Sequence, residues 1–248
     1  MSTIYIMWLR QMIRYFRSGP RIVAALAQPL GYMLAFGYGF GGIYRMAGQG
    51  NYIAFLAPGI LGMSILFSSI FSGMELIWDR QFGFLKETLA APVSRINVML
   101  GRTAGGATVA TFQASIVLAL AMLFGFRPHD WLMLVPTLGV MFAVALLFTA
   151  LGTWFAALLS DFQGFQMIMN FLVMPMFFLS GAMFPLDHVP RELALVASFD
   201  PLSYGVDALR GLLSNASHFG LGLDAAVLGG VAALLMLGAS RAFSRIEA

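Results

Sequence analysis

The chain of 248 residues is 60% hydrophobic and only 10% charged, whereas a soluble domain is normally about 25% charged. A soluble core cannot absorb this much apolar surface, so the composition indicates a membrane protein. The formal net charge of +3 reflects a few arginines and argues against a nucleic-acid-binding surface. The absence of cysteine excludes disulfides, thiolate nucleophiles and cysteine-based metal sites.

Residues 4–18 are predicted to form an amphipathic helix. Ile4, Trp8, Met12 and Phe16 recur at intervals of four along it. Four arginines share the opposite face, namely Arg10, Arg14, Arg17 and Arg21. Such a helix is expected to lie in the cytoplasmic interface of the membrane, with its arginines at the lipid headgroups. It either anchors and orients the first span, or acts as an elbow that also flanks a gate.

Six apolar stretches are long enough to cross the roughly 30 Å hydrocarbon core of a bilayer. They are residues 22–44, 52–78, 103–126, 131–159, 162–185 and 224–240. A charge at mid-bilayer costs at least about 3 kcal/mol, so the absence of Asp, Glu, Lys and Arg from their interiors predicts six spans. The first run is expected to remain as an uncleaved span, because no small-residue cleavage site follows it.

The distribution of Lys and Arg predicts the orientation of these spans. Ten such residues fall on the side that holds both termini and four on the other side, which places the termini in the cytoplasm. Glu75 is the nearest thing to an intramembrane charge. Because it lies within a turn of Trp78, it is expected to snorkel to the cytoplasmic interface, with a role at a gate as the alternative.

The connection formed by residues 78–102 is predicted to project as a short helix from a two-helix hairpin. Trp78, Phe82, Leu85 and Leu89 fall on one helical face. Charges of both signs lie elsewhere around the helix, namely Asp79, Arg80, Lys86 and Glu87. Aromatic side chains are typical of interface centres, so the pattern favours docking to a cytoplasmic protein over a merely solvated connector.

The outer loop, residues 184–223, contains two apolar-leaning pieces at 191–199 and 203–213. Each is too short to cross a bilayer and is typical of a re-entrant or interfacial helix. Asp207 and Arg210 are three residues apart and are predicted to pair. The loop is either a structural hairpin that caps the outer end of the bundle or an extracellular gate, and the two roles are compatible.

Several kinds of chemistry are missing from the sequence. There is no phosphate-binding G-x-x-x-x-G-K-[ST] loop, so the chain is not expected to bind ATP by that route. The three histidines are far apart and form no metal-ligand cluster. The spans also lack the buried ionisable residues that ion-coupled carriers need. Two glycine pairs, Gly37-x-x-x-Gly41 and Gly101-x-x-x-Gly105, match a helix close-packing motif only weakly.

Two segments carry a resemblance to a known family. The first is D-R-Q-F-G-F-L-K-E-T-L-A-A-P at positions 79–92, in which Asp79, Phe84 and Ala91 depart from the usual Glu, Thr and Thr. The second is the outer loop, with L-S-G-A at 179–182, Pro190, P-L-S-Y at 201–204 and Arg210. Over nearly its whole length the chain resembles the permease subunits of type 2 ATP-binding-cassette exporters. That group includes the daunorubicin-resistance and nodulation-factor permeases.

The resemblance implies an all-α polytopic fold in which residues 1–248 form one transmembrane domain in the bacterial inner membrane. Two permease copies, expected as a homodimer, would surround a translocation pathway, and two ATPase subunits would bind ATP and magnesium beneath them. No cofactor or catalytic residue is expected in this chain. The segment that seats in the ATPase would contain Asp79, Arg80, Phe82, Gly83, Phe84, Lys86, Glu87 and Leu89. The outer-loop helices would form a re-entrant cap, with gate residues Pro201, Tyr204, Asp207 and Arg210.

A path between the first, second and fifth spans follows as a hypothesis, for a substrate that is lipophilic or tethered to lipid. Its candidate residues are Tyr32, Phe36, Phe67, Asn170 and Phe177. One rival is a membrane enzyme acting on lipid-linked substrates, for which the ionisable cluster is Asp187, His188, Arg191 and Glu192. A second rival is an assembly subunit with no pathway.

Overall fold

The computed structural model describes residues 2–46, 52–159, 161–186 and 189–245. Regular structure in these ranges is helical, which confirms the all-α prediction. Four helices are short: α1 (Thr3–Phe16), α4 (Phe84–Ala90), α9 (Arg191–Ser198) and α10 (Pro201–Ser214). The long helices are α2 (Gly19–Met46), α3 (Tyr52–Gln81), α5 (Arg95–Leu123), α6 (Leu134–Leu158) and α11 (Leu221–Ser244). Two further short helices, α7 (Phe162–Ile168) and α8 (Met174–Leu179), follow each other closely along the chain.

Six helical segments in the described ranges are long and apolar enough to cross a membrane, as predicted. A π-helical turn, Met169–Val173, joins α7 to α8 into the fifth segment. Two boundaries differ from the prediction by more than about four residues, the error expected of such boundaries. The third segment already begins at Arg95, a start that the sequence does not predict because Arg102 interrupts the charge-free apolar run. The fifth ends at Leu179, because Gly181 adopts a left-handed φ of 71° just beyond it.

Helix α3 lies at the centre of the bundle and packs against α2, α5, α6 and α10. Its crossing with α6 is made by Gly73 and Gly152, where a Cβ on Gly73 would overlap the backbone of Gly152. Small residues allow helix backbones to approach closely where lipid offers no hydrophobic driving force. The backbones of α3 and α6 are therefore in direct van der Waals contact.

Helix α1 packs lengthwise against the first half of α5, using the second predicted glycine pair. A Cβ on Gly101 would lie 2.7 Å from the Cβ of Met7, and one on Gly105 would lie 2.8 Å from the Cβ of Gln11. The indole Nε1 of Trp8 donates a hydrogen bond to Thr108 Oγ1 at 3.0 Å. The amphipathic helix is thus present as predicted but is anchored on protein.

The face of α1 that meets protein also differs from the predicted apolar stripe. Met7, Gln11 and Tyr15 are its buried residues, whereas Ile4 and Phe16 of the predicted stripe are 37% and 55% exposed. Apolar side chains that remain exposed on a membrane protein can contact lipid. Helix α1 therefore has a protein-facing stripe and a separate apolar surface beside it.

The hairpin formed by α9 and α10, which we call the outer hairpin after its predicted side, packs into the bundle as a re-entrant cap requires. Helix α10 packs against α3, α6 and α11, and most of its side chains are buried. Asp200 caps its first turn, with Oδ1 accepting a hydrogen bond from Leu202 N–H at 2.9 Å. Pro201 occupies the first helical turn, where its missing N–H costs nothing.

Candidate functional site

The connection between α3 and α5 is built differently from the single projecting helix that the sequence predicts. Helix α3 continues through Asp79 to Gln81, and Gly83 then adopts a left-handed φ of 81° before α4 begins. The prediction that Phe82 and Leu85 share one helical face is therefore wrong. Phe82 is 75% exposed, whereas Leu85 is 2% exposed and packs into the core. A helix pattern drawn across Gly83 cannot anticipate this change of direction.

An exposed surface remains at this connection, which we name the hairpin surface: Phe82, Phe84, Lys86 and Glu87. Phe84 is 53% exposed, and Lys86 and Glu87 are also exposed. Arg80 is half-buried at its edge, and the side chain of Leu89 lies outside what the structure describes. Two exposed aromatic rings therefore flank the left-handed turn, beside charges of both signs.

Asp79 belongs to a different environment from the hairpin surface. It is only 3% exposed, and its carboxylate accepts from Arg10 Nη2 and Arg14 Nη1, each at 3.2 Å. Arg102, itself 4% exposed, donates from the other side. The side chain of Asp79 therefore faces arginines of α1 and α5, in contrast to the predicted place among the exposed docking residues.

Glu75 does not snorkel to solvent, and that expectation is wrong. It is 5% exposed and forms an ion pair with Arg21 of α2. The Nη1 atom of Arg14 lies 3.8 Å from its carboxylate and 3.2 Å from that of Asp79. Arg14 therefore bridges the two acidic residues of α3.

These contacts form one charge cluster, which consists of Arg10, Arg14, Arg21, Glu75, Asp79 and Arg102. It ties α1, α2, α3 and α5 together at one end of the bundle, which we call the basic end. Of the four arginines predicted to lie at lipid headgroups, Arg10, Arg14 and Arg21 pair with carboxylates. A signal for this was present in the sequence, because Glu75 and Asp79 are four residues apart, as are Arg10 and Arg14, and each pair shares a helix face.

A cavity of about 510 Å³ adjoins the charge cluster. Residues of α1, α2, α3, α5 and α7 line it, and Glu75 and Arg21 lie at its charged edge. We call it the main cavity. Of the predicted path residues, Phe67 lies in its wall.

Four of the five predicted path residues lie close together. The rings of Tyr32 and Phe36 are 5.6 Å apart, and those of Phe67 and Phe177 are 6.5 Å apart. Tyr32, Phe36 and Phe177 share the wall of a small cavity. Asn170 is separate, because it is exposed within the π-turn of the fifth span.

The predicted gate residues hold the outer hairpin in place. Tyr204 donates its hydroxyl to Ser198 O at 2.8 Å. Asp207 accepts from Ser217 Oγ and from the backbone N–H groups of His218 and Phe219, at 2.8–2.9 Å.

Arg210 reaches a different group of elements. Its Nη2 donates to Gly181 O at 3.0 Å, and its guanidinium lies 4.3 Å from the centroid of the Phe55 ring. Asp207 and Arg210 thus take separate partners, in contrast to the predicted pair. Arg210 connects α10 to the end of the fifth span and to α3.

The membrane-enzyme hypothesis requires an ionisable cluster of which only two residues lie within the described ranges. Arg191 and Glu192 are exposed on the first turn of α9. Asp187 and His188 lie outside the described residues. Within the ranges that the structure describes, no group of three His, Asp or Glu side chains is placed to hold a metal ion.

The fold and these sites define a multi-pass helical membrane protein with a charged hairpin connection at one end and an inserted helical cap at the other. A model of the ABC-2 type transporter family matches residues 2–213, and the chain belongs to this family.

Among its relatives is nodulation protein J of Rhizobium leguminosarum bv. trifolii, which is 29% identical over 209 residues, covering 83% of this chain and 79% of that protein. Nodulation protein J of Rhizobium meliloti (strain 1021) is 28% identical over 208 residues, covering 82% and 79%. A relative in Cyanophora paradoxa, named "Putative transport permease ycf38", is 26% identical over 217 residues, covering 86% and 75%.

Membership confirms the resemblance and identifies the chain as a transporter permease subunit. Families of this kind work with an ATPase subunit in general. The six spans confirm a multi-pass membrane protein.

Proposed function

We propose that this chain is the membrane-spanning subunit of an ATP-driven exporter and that its ATPase partners dock at the basic end. Two copies of the chain pair around a path, and two ATPase subunits bind ATP and magnesium. The observation that carries the proposal is the hairpin surface of a chain in the ABC-2 family, where two exposed phenylalanines flank a left-handed turn.

Docking is supported by what surrounds these rings. A groove of about 850 Å³ runs between α1 and the connection, and Ile13, Arg17 and Phe82 are among the residues that line it. Aromatic anchors inserted between apolar and charged neighbours are typical of the centre of an interface. A partner that covers Phe82 and Phe84 would remove two large exposed rings from water.

The substrate that this arrangement favours is lipophilic or tethered to lipid, which includes drugs, lipids, glycolipids and polysaccharides. The Tyr32, Phe36 and Phe177 rings offer apolar and weakly polar contacts. The ionisable groups Glu75 and Arg21 are paired with each other. A compact ion would find no unpaired charge among these residues to replace its hydration.

The orientation follows from the same reasoning. We place both termini and the basic end in the cytoplasm of a bacterium and the α9–α10 hairpin outside its inner membrane. Because the chain has no cysteine, single substitutions report the side directly. Lys86→Cys should resist a membrane-impermeant maleimide in intact cells, and Ala216→Cys, at an exposed position of the loop after α10, should react. The reverse pattern would overturn the orientation.

The docking test is co-purification of the partner ATPase with the Phe82→Asp/Phe84→Asp variant. We expect the ATPase to be released, because two charges would replace the apolar anchors. Phe199→Asp is the matched control, since Phe199 is 82% exposed in the outer hairpin and its substitution should leave the ATPase bound. Normal co-purification with the double variant would count against docking at this surface.

Transport itself separates the proposal from its rivals. Proteoliposomes that contain the chain and its ATPase should move a lipophilic probe in an ATP-dependent manner, which an assembly subunit would not do. The enzyme rival predicts that His188→Ala/Glu192→Ala abolishes activity. We expect transport to persist in that variant.

A further inference from the structure

The main cavity lies beside the charge cluster and is lined by five helices. Its volume of about 510 Å³ falls within the range of about 300–1,000 Å³ that is typical of sites for drug-sized molecules. Met63, Phe67 and Phe71 of α3 supply an apolar wall, and Gln28 and Gln166 supply amide groups. Such a mixture of apolar walls and a few polar groups is characteristic of a ligand site.

Two buried hydroxyl groups in this wall have unused hydrogen-bonding capacity. Tyr15 is 4% exposed and Ser64 is 2% exposed. Within the described part of the chain, neither hydroxyl has a hydrogen-bond partner. A buried polar group without a hydrogen-bond partner is unfavourable, so a ligand that bonds to either hydroxyl would gain that interaction.

The charge state of the cavity selects the ligand. Its charged residues are Glu75 and Arg21, which form an ion pair with each other. Burial also raises the pKa of the Tyr15 hydroxyl above its ordinary value, so this group stays neutral. An ionic ligand would therefore have to break an existing pair or enter without a counter-charge, and either is costly.

From these observations we propose that the main cavity is a binding site, within each single chain, for uncharged lipophilic molecules that carry a hydroxyl or carbonyl group. The apolar part of the ligand lies against Phe67 and Met63, and its polar group bonds to the hydroxyls of Tyr15 and Ser64. A single chain binds the ligand without a second copy or an ATPase partner. The further step, that the ligand is the transported substrate on its way to the path, rests on the proposed function.

The two hydroxyls that would bind the ligand lie on different helices, so a movement of one helix against the other would change the site. Tyr15 is on α1 and Ser64 is on α3. Arg14, one position before Tyr15, contacts the carboxylates of α3. A ligand that bridges the two hydroxyls would therefore link α1 to α3, as the ion pairs of the charge cluster do.

The test is photolabelling of the full-length chain in membranes with 3-azioctanol, an uncharged alcohol that carries a diazirine. We expect adducts on peptides that contain Tyr15, Ser64 or Phe67, and we expect octanol to compete for them. Octanoate at the same concentration should not compete, because the site discriminates against charge. Labelling spread over lipid-facing residues without competition by octanol would overturn the proposal.

Two sets of variants locate the site. Ala25→Phe places a ring in the cavity wall and should abolish the competed labelling, whereas Ala27→Phe, at an exposed position of the same helix, should not. Tyr15→Phe and Ser64→Ala should each weaken competition by octanol about fivefold, as expected for one hydrogen bond of roughly 1 kcal/mol. Tyr38→Phe is the control, because Tyr38 is 66% exposed.

Unchanged labelling in Ala25→Phe would also overturn the proposal. ATP-dependent transport of a lipophilic probe is measured in parallel, so the two ideas fail separately. Transport without competed labelling refutes this site and leaves the exporter standing. Competed labelling without transport refutes the exporter and leaves the site standing.

Discussion

Replacing Asp79 with Asn should destabilise the protein more than any substitution on the hairpin surface. Breaking a buried ion pair by removing one partner costs about 3–5 kcal/mol, and Arg102 and Asp79 are 4% and 3% exposed. The side chains of Arg10 and Arg14 are each 36% exposed, so solvent screens them and each adds less than about 1 kcal/mol. We therefore expect a loss of about 3–4 kcal/mol, dominated by the stranded charge of Arg102.

The assay is unfolding of the purified chain in mixed micelles by titration with a denaturing detergent, followed by circular dichroism. The double variant Asp79→Asn/Arg102→Gln should recover at least half of the loss, because no buried charge is then left unpaired. Glu87→Gln, at an exposed position, is the control and should change stability by less than about 0.5 kcal/mol. The reasoning is refuted if Asp79→Asn matches the wild type, or if the double variant is as unstable as the single one.

Three further predictions concern packing and pH. Gly73→Leu should lower the stability of the chain by more than about 3 kcal/mol in the same assay, because its side chain would overlap the Gly152 backbone; wild-type stability would contradict the crossing. Gly105→Leu should expose α1 to limited proteolysis, because a Cβ there already lies 2.8 Å from that of Gln11, and unchanged cleavage would argue against the α1–α5 contact. Burial raises the pKa of Asp200 to about 7. Because this pKa is higher in the folded than in the unfolded chain, the neutral Asp200 carboxyl stabilises the fold at low pH. That contribution, up to about 4 kcal/mol, is lost as pH rises through about 7. Asp200→Asn should flatten this dependence in unfolding experiments at pH 5 and pH 8, and a slope equal to that of the wild type would refute it.

The spans could be predicted from sequence because their signal is local. Each apolar run is constrained by the cost of placing a charge in lipid, which does not depend on the neighbouring helices. The start of α5 at Arg95 was missed for the same reason, since Arg102 interrupts the charge-free run although the helix continues through it. The end of the fifth span depended on the backbone conformation of Gly181, which composition does not reveal.

The sites were harder to predict because their residues come from several elements. Asp79 was grouped with Phe82 by sequence proximity, but Asp79 lies inside α3 and faces α1 and α5, whereas Phe82 follows the end of α3 and is exposed. The partners of Asp79 lie 69, 65 and 23 positions away in the sequence. The helical periodicity of α1 did place its arginines on one face, yet only the packing on α5 decides what that face meets.

The charge cluster lies between the hairpin surface and the main cavity. Asp79 and Phe82 lie one helical turn apart, so a force on the hairpin surface acts directly on the end of α3. Glu75, one turn further along the same helix, pairs with Arg21 at the edge of the main cavity. Arg14 contacts both carboxylates. If α3 moves relative to α1 and α2, it must therefore either carry these helices along or separate the ion pairs, and separating the Glu75–Arg21 pair would open the charged edge of the main cavity.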